Sequence, residues 1–310
     1  MTKLFLTYIL TSLAITCFGQ QTEIINEKTN QHIRIPGTRV FLIPPKGFTI
    51  AKGFLGLRKG DDAYIQIFDL VGGSFYSNAR SINRENFEAA GMKVYDYSEF
   101  QFDNYPAKYI YLRGTNLLNS YQLTFGDSTF SAMMLSAFYP DDKEMEKQVK
   151  ECILSAYYDT SVKIDPFETA YFSIDESSTK YKFQEYAANI YAYSVDGVKS
   201  EDTFSPTVMI TQLPAEANST YETLIESMIN GLKQNSFIQT GIVSSTEKTI
   251  NGFKGYEKIV KGYFKRKKVT VYYLAFIKDD ISIVFCGITH AEDDSDLKDF
   301  VTFSSTMKLK

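Results

Sequence analysis

No tryptophan occurs among the 310 residues, and only two histidines and three cysteines do. So few thiols and imidazoles exclude a disulfide-stapled scaffold and a zinc-cluster protein. Glycine and proline, at 18 and 8, are too sparse for a collagen-like chain. Beyond the first twenty residues no run approaches the ~18 apolar residues that a spanning helix needs, so no transmembrane segment is expected after the leader. A large excess of one charge is also missing: 33 Lys and Arg face 37 Asp and Glu, a formal charge of −4. A mildly acidic chain has no general attraction for phosphate backbones, so no nucleic acid partner is expected. What is present is 44% hydrophobic residues, 22 tyrosines and 24 phenylalanines, enough apolar matter for real cores and against a mainly disordered chain. The length is about twice that of a usual single domain, which predicts two.

Residues 1–19 read as a secretory signal peptide. Lys3 supplies the positive start, and 4–15 is apolar apart from Thr7, Tyr8, Thr11 and Ser12. Cys17 and Gly19 then place small residues before a cut ahead of Gln20. Lipidation at Cys17 is the rival reading, but that chemistry prefers leucine where Ala14 stands and a smaller residue than Thr16. The pattern favours cleavage after Gly19 and an exported protein, periplasmic or secreted. Loss of Lys3 leaves 32 cationic against 37 anionic side chains, a formal charge of −5. Of the remaining thiols, Cys152 shares an apolar helix face with Met145, Val149, Ile153 and Ala156, and Cys286 sits in a strand-like run. Both read as small buried hydrophobes.

The pattern then repeats. Phe102-Asp103-Asn104-Tyr105-Pro106-Ala107 reads as strand, tight turn and strand, and Ile250-Asn251-Gly252-Phe253-Lys254-Gly255 follows the same plan. Strands are predicted at 63–70 and 207–213, each followed by a helix. The first runs over about 81–90 and stops at Gly91. In the second, Ser219 and Glu222 form a capping box before a stripe of Tyr221, Leu224, Ile225, Met228, Ile229 and Leu232. Strands at 93–102 and 242–250 lead into the shared turns. Further strands follow at 107–113, 118–125 and 129–138, and at 256–262, 269–277 and 281–288. Each half closes on a helix with an acidic start, capped by Asp141 and Glu144 in one and opened by Asp293, Asp294 and Asp296 in the other. The fold class predicted is α+β: two tandem domains, 36–160 and 166–310, each an antiparallel sheet packed with helices, with the linker near 159–165 where Asp165-Pro166 breaks a helix.

This layout resembles the PsbP-like family, which includes bacterial envelope proteins of the DcrB type. The likeness rests on Phe41-Leu42-Ile43-Pro44-Pro45-Lys46-Gly47-Phe48 with the strand at 63–70, on Asn104-Tyr105-Pro106-Ala107, and on the stretch from Tyr139-Pro140-Asp141 to Tyr157. It covers 38–158, while the second half follows by element order only and lacks the Pro-Pro-Gly turn around 181–193. The resemblance implies a binding or assembly module, and it transfers no active site.

Catalytic patterns are thin. Phe125-Gly126-Asp127-Ser128 looks like the GDS block of a hydrolase family, but it falls at a hairpin turn, and Gly287 stands where an Asp should precede His290. Walker A, G-x-G-x-x-G, H-E-x-x-H and G-x-S-x-G patterns are absent. With only His32 and His290, a metal would need carboxylates. The run Glu292-Asp293-Asp294-Ser295-Asp296 lacks the alternation and central glycine of a calcium loop and reads as a helix start. Asn218-Ser219-Thr220 matches a glycosylation sequon, with Ser219 explained as a cap. Lys265, Arg266, Lys267 and Lys268 form the one dense basic run, placed at a hairpin turn, where charge protects a sheet edge or docks an anionic headgroup or acidic partner. Tyr64, Tyr95, Tyr97, Tyr109, Tyr111, Tyr121, Tyr272 and Tyr273 lie in strands and would line a groove only if exposed in a row. The expectation is a non-enzymatic module, without a cofactor, that engages a protein or envelope component, with the cleft between the two copies as its first candidate site. A carrier of a small apolar or lipid-like ligand and an enzyme built from scattered carboxylates and tyrosines are the alternatives.

Overall fold

The computed structural model describes residues 23–24, 26–200, 205–215, 218–290 and 295–310. The signal peptide reading, Cys17, and Glu292, Asp293 and Asp294 of the acidic run lie outside them. In the first half, β1 (Glu23–Ile24), β2 (Ile33–Arg34) and β3 (Val40–Leu42) precede β4 (Thr49–Ile50), β5 (Gly56–Lys59) and β6 (Ala63–Val71). Two short helices, α1 (Phe75–Asn78) and α2 (Arg84–Ala89), lead to β7 (Lys93–Phe102), β8 (Tyr105–Arg113), β9 (Asn119–Gly126) and β10 (Phe130–Phe138). Helix α3 (Lys143–Leu154) and β11 (Tyr157–Tyr158) close this half. The second half holds β12 (Phe172–Ser173), β13 (Tyr181–Ala187), β14 (Ile190–Val195), β15 (Thr207–Pro214) and α4 (Tyr221–Gln234). It continues through β16 (Phe237–Ile250), β17 (Phe253–Phe264), β18 (Lys267–Lys278), β19 (Ile281–Thr289), α5 (Ser295–Ser305) and β20 (Lys308–Leu309).

The two large sheets share one connection order. The first runs β7-β8-β9-β10-β6-β5-β4, with β1 added in parallel outside β7; the second runs β16-β17-β18-β19-β15-β14-β13. Matching strands in these orders come from matching positions in each half, and α3 and α5 occupy the same place after the last long strand. Even the short pairs correspond, since β11 joins β3 and β20 joins β12. Both shared turns put their two central residues at positive φ: Asp103 and Asn104 at 49° and 67°, Asn251 and Gly252 at 48° and 86°. That is the turn whose twist matches a two-residue hairpin, and it selects Asn, Asp and Gly. The architecture is α+β but richer in sheet than the pattern predicted.

Helix starts shift by a residue or more from the sequence reading. Thr220, not Ser219, caps α4: its side chain accepts from Thr223 N, and Thr223 answers from the third helical position. Asp142, not Asp141, caps α3 through Met145 N at 2.9 Å. Helix α2 starts later than expected, behind the Asn83 cap. In each case the acceptor that reaches the free N–H at the observed register wins, because an unpaired donor there costs more than a weaker sequence match.

The first sheet packs one face on α3, where Met145, Val149, Cys152 and Ile153 meet Ile65, Leu123 and Phe125. The second sheet is covered twice, by α5 through Phe300 and Phe303 and by α4 through Leu224, Ile225 and Ile229. Cys286 belongs to the α4 side, and burial pushes its thiol up to about 12. These helices leave two strips bare. Met209 of β15 still packs on the α4 side, but Ile190 and Leu213 of β14 and β15, like Tyr64 and Phe68 of β6, belong to none of the helix-covered clusters. The strips are equivalent positions in the shared order, and they face each other.

Candidate functional site

A cleft of about 460 Å³ opens between the two strips. Period-two alternation sends Ile65 and Ile67 into the first core and turns Tyr64, Gln66 and Phe68 outward into the cleft. From the other sheet, Ile190, Thr211 and Leu213 supply the opposite wall. The lining is mainly apolar, and Tyr64 and Ile190, each 39% exposed, stand at its lips. Phe54 packs edge-on against Tyr64, with centroids 5.8 Å apart.

The loop between β4 and β5 forms the floor. Gly53, at φ 78°, lies so near the second half that a Cβ there would meet Pro214 N at 2.7 Å. Only glycine permits both that backbone and that approach. Asn189, the second central residue of the β13–β14 turn at φ 67°, is almost fully buried, and its side-chain amide donates to Gly53 O at 3.0 Å. Further ties flank the cleft. Glu168 takes an ion pair from Arg34 and accepts from Gly37 N at 3.0 Å, and Lys52 meets Asp280 at 3.6 Å. The Arg34 guanidinium, with the Gly37 N–H, holds the Glu168 carboxyl below its usual range. Gln212, beneath the wall, spans Tyr171 N and Thr169 O, which fixes the segment entering the second half to β15.

The chemistry of this lining suits binding. Among the described residues, Asp61 is the one carboxylate of the lining and is engaged by Arg58, and neither histidine nor cysteine lines the cleft. Buried acids elsewhere are committed to structure. Asp69 accepts from Arg39 N at 2.8 Å and from the Tyr158 hydroxyl at 2.9 Å, tying β6 to β11, while burial raises its carboxyl above the usual range. Asp296, at the start of α5, pairs with Lys180 and accepts from the Thr289 hydroxyl. Among the described residues, no group of three or more His, Cys, Asp or Glu side chains is placed to hold a metal.

The GDS-like block is a turn. Asp127 accepts from Thr129 N and Thr129 Oγ1, both at 2.7 Å, which holds its carboxyl below the usual range. Lys265, Arg266, Lys267 and Lys268 stand exposed at the tip of the β17–β18 hairpin, and none of them lines the cleft. The strand tyrosines divide: Tyr109, Tyr121, Tyr272 and Tyr273 are buried, while Tyr64 and Tyr95 are exposed. They make no continuous outer row, and only Tyr64 of that set reaches the cleft. Sequence reasoning missed Phe54, Asn189, Ile190 and Thr211. The one available signal was Asn189, a residue that favours a hairpin turn, behind an uninformative Ala188.

No protein-family model and no curated protein matches the chain. Solved structures similar to it include LpqN, involved in cell envelope biogenesis of Mycobacterium tuberculosis, at 10% identity and a TM-score of 0.34, covering 45% of this chain and 83% of that one. A second is the cyanobacterial PsbP of Synechocystis, at 14% identity and 0.29, covering 45% and 91%. A third is the type VI secretion immunity protein TplEi of Pseudomonas aeruginosa, at 10% and 0.33, covering 90% and 97%. One of the three is thus a PsbP, the family that the sequence resembles. All three superpositions are loose, so the functional reading rests on the chain's own geometry. Among the described residues, no helix is long and apolar enough to cross a membrane.

Proposed function

We propose that the chain is an exported, non-catalytic binding or assembly module, built from two copies of one α+β plan at 36–160 and 166–310. It engages a protein or another envelope component in the cleft between them. One observation carries this reading: strips at equivalent places in the two sheets, on β6 and on β14–β15, form the facing walls of one apolar cleft. A strip left bare twice and then paired across a floor of direct backbone approach is a preformed concave site.

The cleft's volume also lies within the range of small-molecule sites, roughly 300–1,000 Å³, so a small apolar ligand is the second reading. Photo-cross-linking separates the two. A benzophenone side chain at Ile190 or Tyr64 is expected to give a discrete protein adduct in the native envelope, and one at exposed Tyr139 is expected to give none. An adduct of small-molecule mass supports the carrier. Equal labelling at Tyr139, or no adduct at either cleft position, contradicts the cleft as the site.

A further inference from the structure

The hairpin joining β17 to β18 is turned by Lys265 and Arg266, at φ 47° and 67°. Left-handed backbone at both central residues is the turn that Asn, Asp and Gly fill without strain, and long cationic side chains have no preference for it. Among the described residues, three other two-residue hairpins have both central residues at positive φ. They use Asp103-Asn104, Ala188-Asn189 and Asn251-Gly252, each with Asn or Gly. The basic pair is thus held against local backbone preference, which points to a use outside the fold.

Its surroundings show what that use requires. Ile238, Tyr263 and Lys268 are directly opposite one another across β16, β17 and β18 and so share one face. Lys261, one alternation away on the same face, lines a recess of about 450 Å³ with Tyr263, Lys268 and the hydroxyl-bearing Thr240 and Thr270. Ile238 is 65% exposed and Tyr263 39%. Lys233, in the last turn of α4, borders the same end of the sheet beside Ile238. Cations, an exposed isoleucine and an amphipathic aromatic therefore converge on one end of a chain whose net charge is −4.

We propose that this end of the second sheet docks on an anionic lipid bilayer. Lys261, Lys265, Arg266 and Lys268 would meet headgroup phosphates, while Ile238 and Tyr263 would enter the headgroup layer. The acidic remainder of the chain is repelled by the same surface, so only this end faces it. This inference is independent of the cleft, which lies on other strands.

The turn supplies a clean test. Lys265→Asn with Arg266→Gly removes two cations and installs the residues the backbone prefers, so the variant is expected to unfold at or above the wild-type denaturant midpoint. Sedimentation with vesicles of phosphatidylglycerol in phosphatidylcholine is expected to show binding that weakens with salt and is absent on pure phosphatidylcholine. The double variant should bind about 25-fold more weakly, roughly fivefold per lost cation. Ile238→Ser with Tyr263→Ser should weaken binding with its salt dependence intact. Equal binding to both vesicles, binding to neither, or an unchanged affinity of the double variant overturns the proposal. Salt-sensitive binding to polyglutamate with none to vesicles overturns it in favour of an acidic protein partner.

Discussion

Tyrosine is the residue through which this chain departs most from an ordinary core. Tyr181, Tyr193, Tyr272 and Tyr273 are all at most 1% exposed in the second half, but they differ in what the hydroxyl finds. Tyr272 meets Ser304 Oγ at 2.9 Å and Tyr273 meets the Cys286 thiol, whereas the hydroxyls of Tyr181 and Tyr193 are buried with no hydrogen-bond partner among the described residues. Rings from Phe183 and Phe303 close around Tyr193. A buried hydroxyl with no partner has lost its hydration for nothing, so Tyr193→Phe is expected to stabilise the protein by about 1 kcal/mol. A shift of the guanidinium midpoint to higher concentration checks this, and a lower midpoint would mean that the hydroxyl has a partner in solution.

At the scale of elements, the two halves solve the same helix-end problem with different residues. The carbonyls of Leu154 and Ala156, after α3, accept from the side-chain amide of Asn26 at 2.7 and 2.8 Å. Those of Ser305 and Met307, after α5, accept from Asn251 at 3.1 and 2.7 Å. Asn251 therefore both turns the β16–β17 hairpin and caps a helix. Asn251→Gly keeps the turn geometry and removes both donors, so a loss of about 1–3 kcal/mol is expected in equilibrium unfolding. A loss under ~0.5 kcal/mol would show that the cap is not needed.

This dual role also marks how far the sequence could be read. The pairing of Asp103-Asn104 with Asn251-Gly252 was legible because turn chemistry is local. So were the apolar stripe of α4, the face of α3 around Cys152, and the long strands with clear alternation. Strand β16 was read as starting at Ile242 and in fact starts at Phe237, since register shifts near Gly241 and Val243 break the alternation that reveals a strand. The β13–β14 hairpin was obscure because the first half has only two- and four-residue strands, β4 and β5, in that position. The cleft's position between the halves was expected, but its lining was not legible. Gly53, Asn189 and Glu168 act on partners more than 100 residues away, and no window of sequence carries that information.

For the whole molecule, the tie between halves should depend on pH through Glu168. Its carboxyl is held below the ordinary range by Arg34 and the Gly37 N–H, so its stabilisation is present above about pH 4 and is lost as pH falls through the lowered folded value. Wild type is therefore expected to exceed Glu168→Gln in unfolding midpoint near pH 6 and to match it in strong acid. A difference that persists unchanged in acid would place the effect in packing rather than charge. The central claim is that the strips of β6 and β14–β15 form one binding cleft. Photo-cross-linking from Ile190 in a Thr211→Trp background tests it most directly, because the indole fills the cleft from a position whose side chain already faces it. The expected result is an unfolding midpoint near that of wild type with at least a tenfold loss of the adduct, roughly 1.4 kcal/mol of binding. An undiminished adduct in a folded Thr211→Trp protein would contradict the claim.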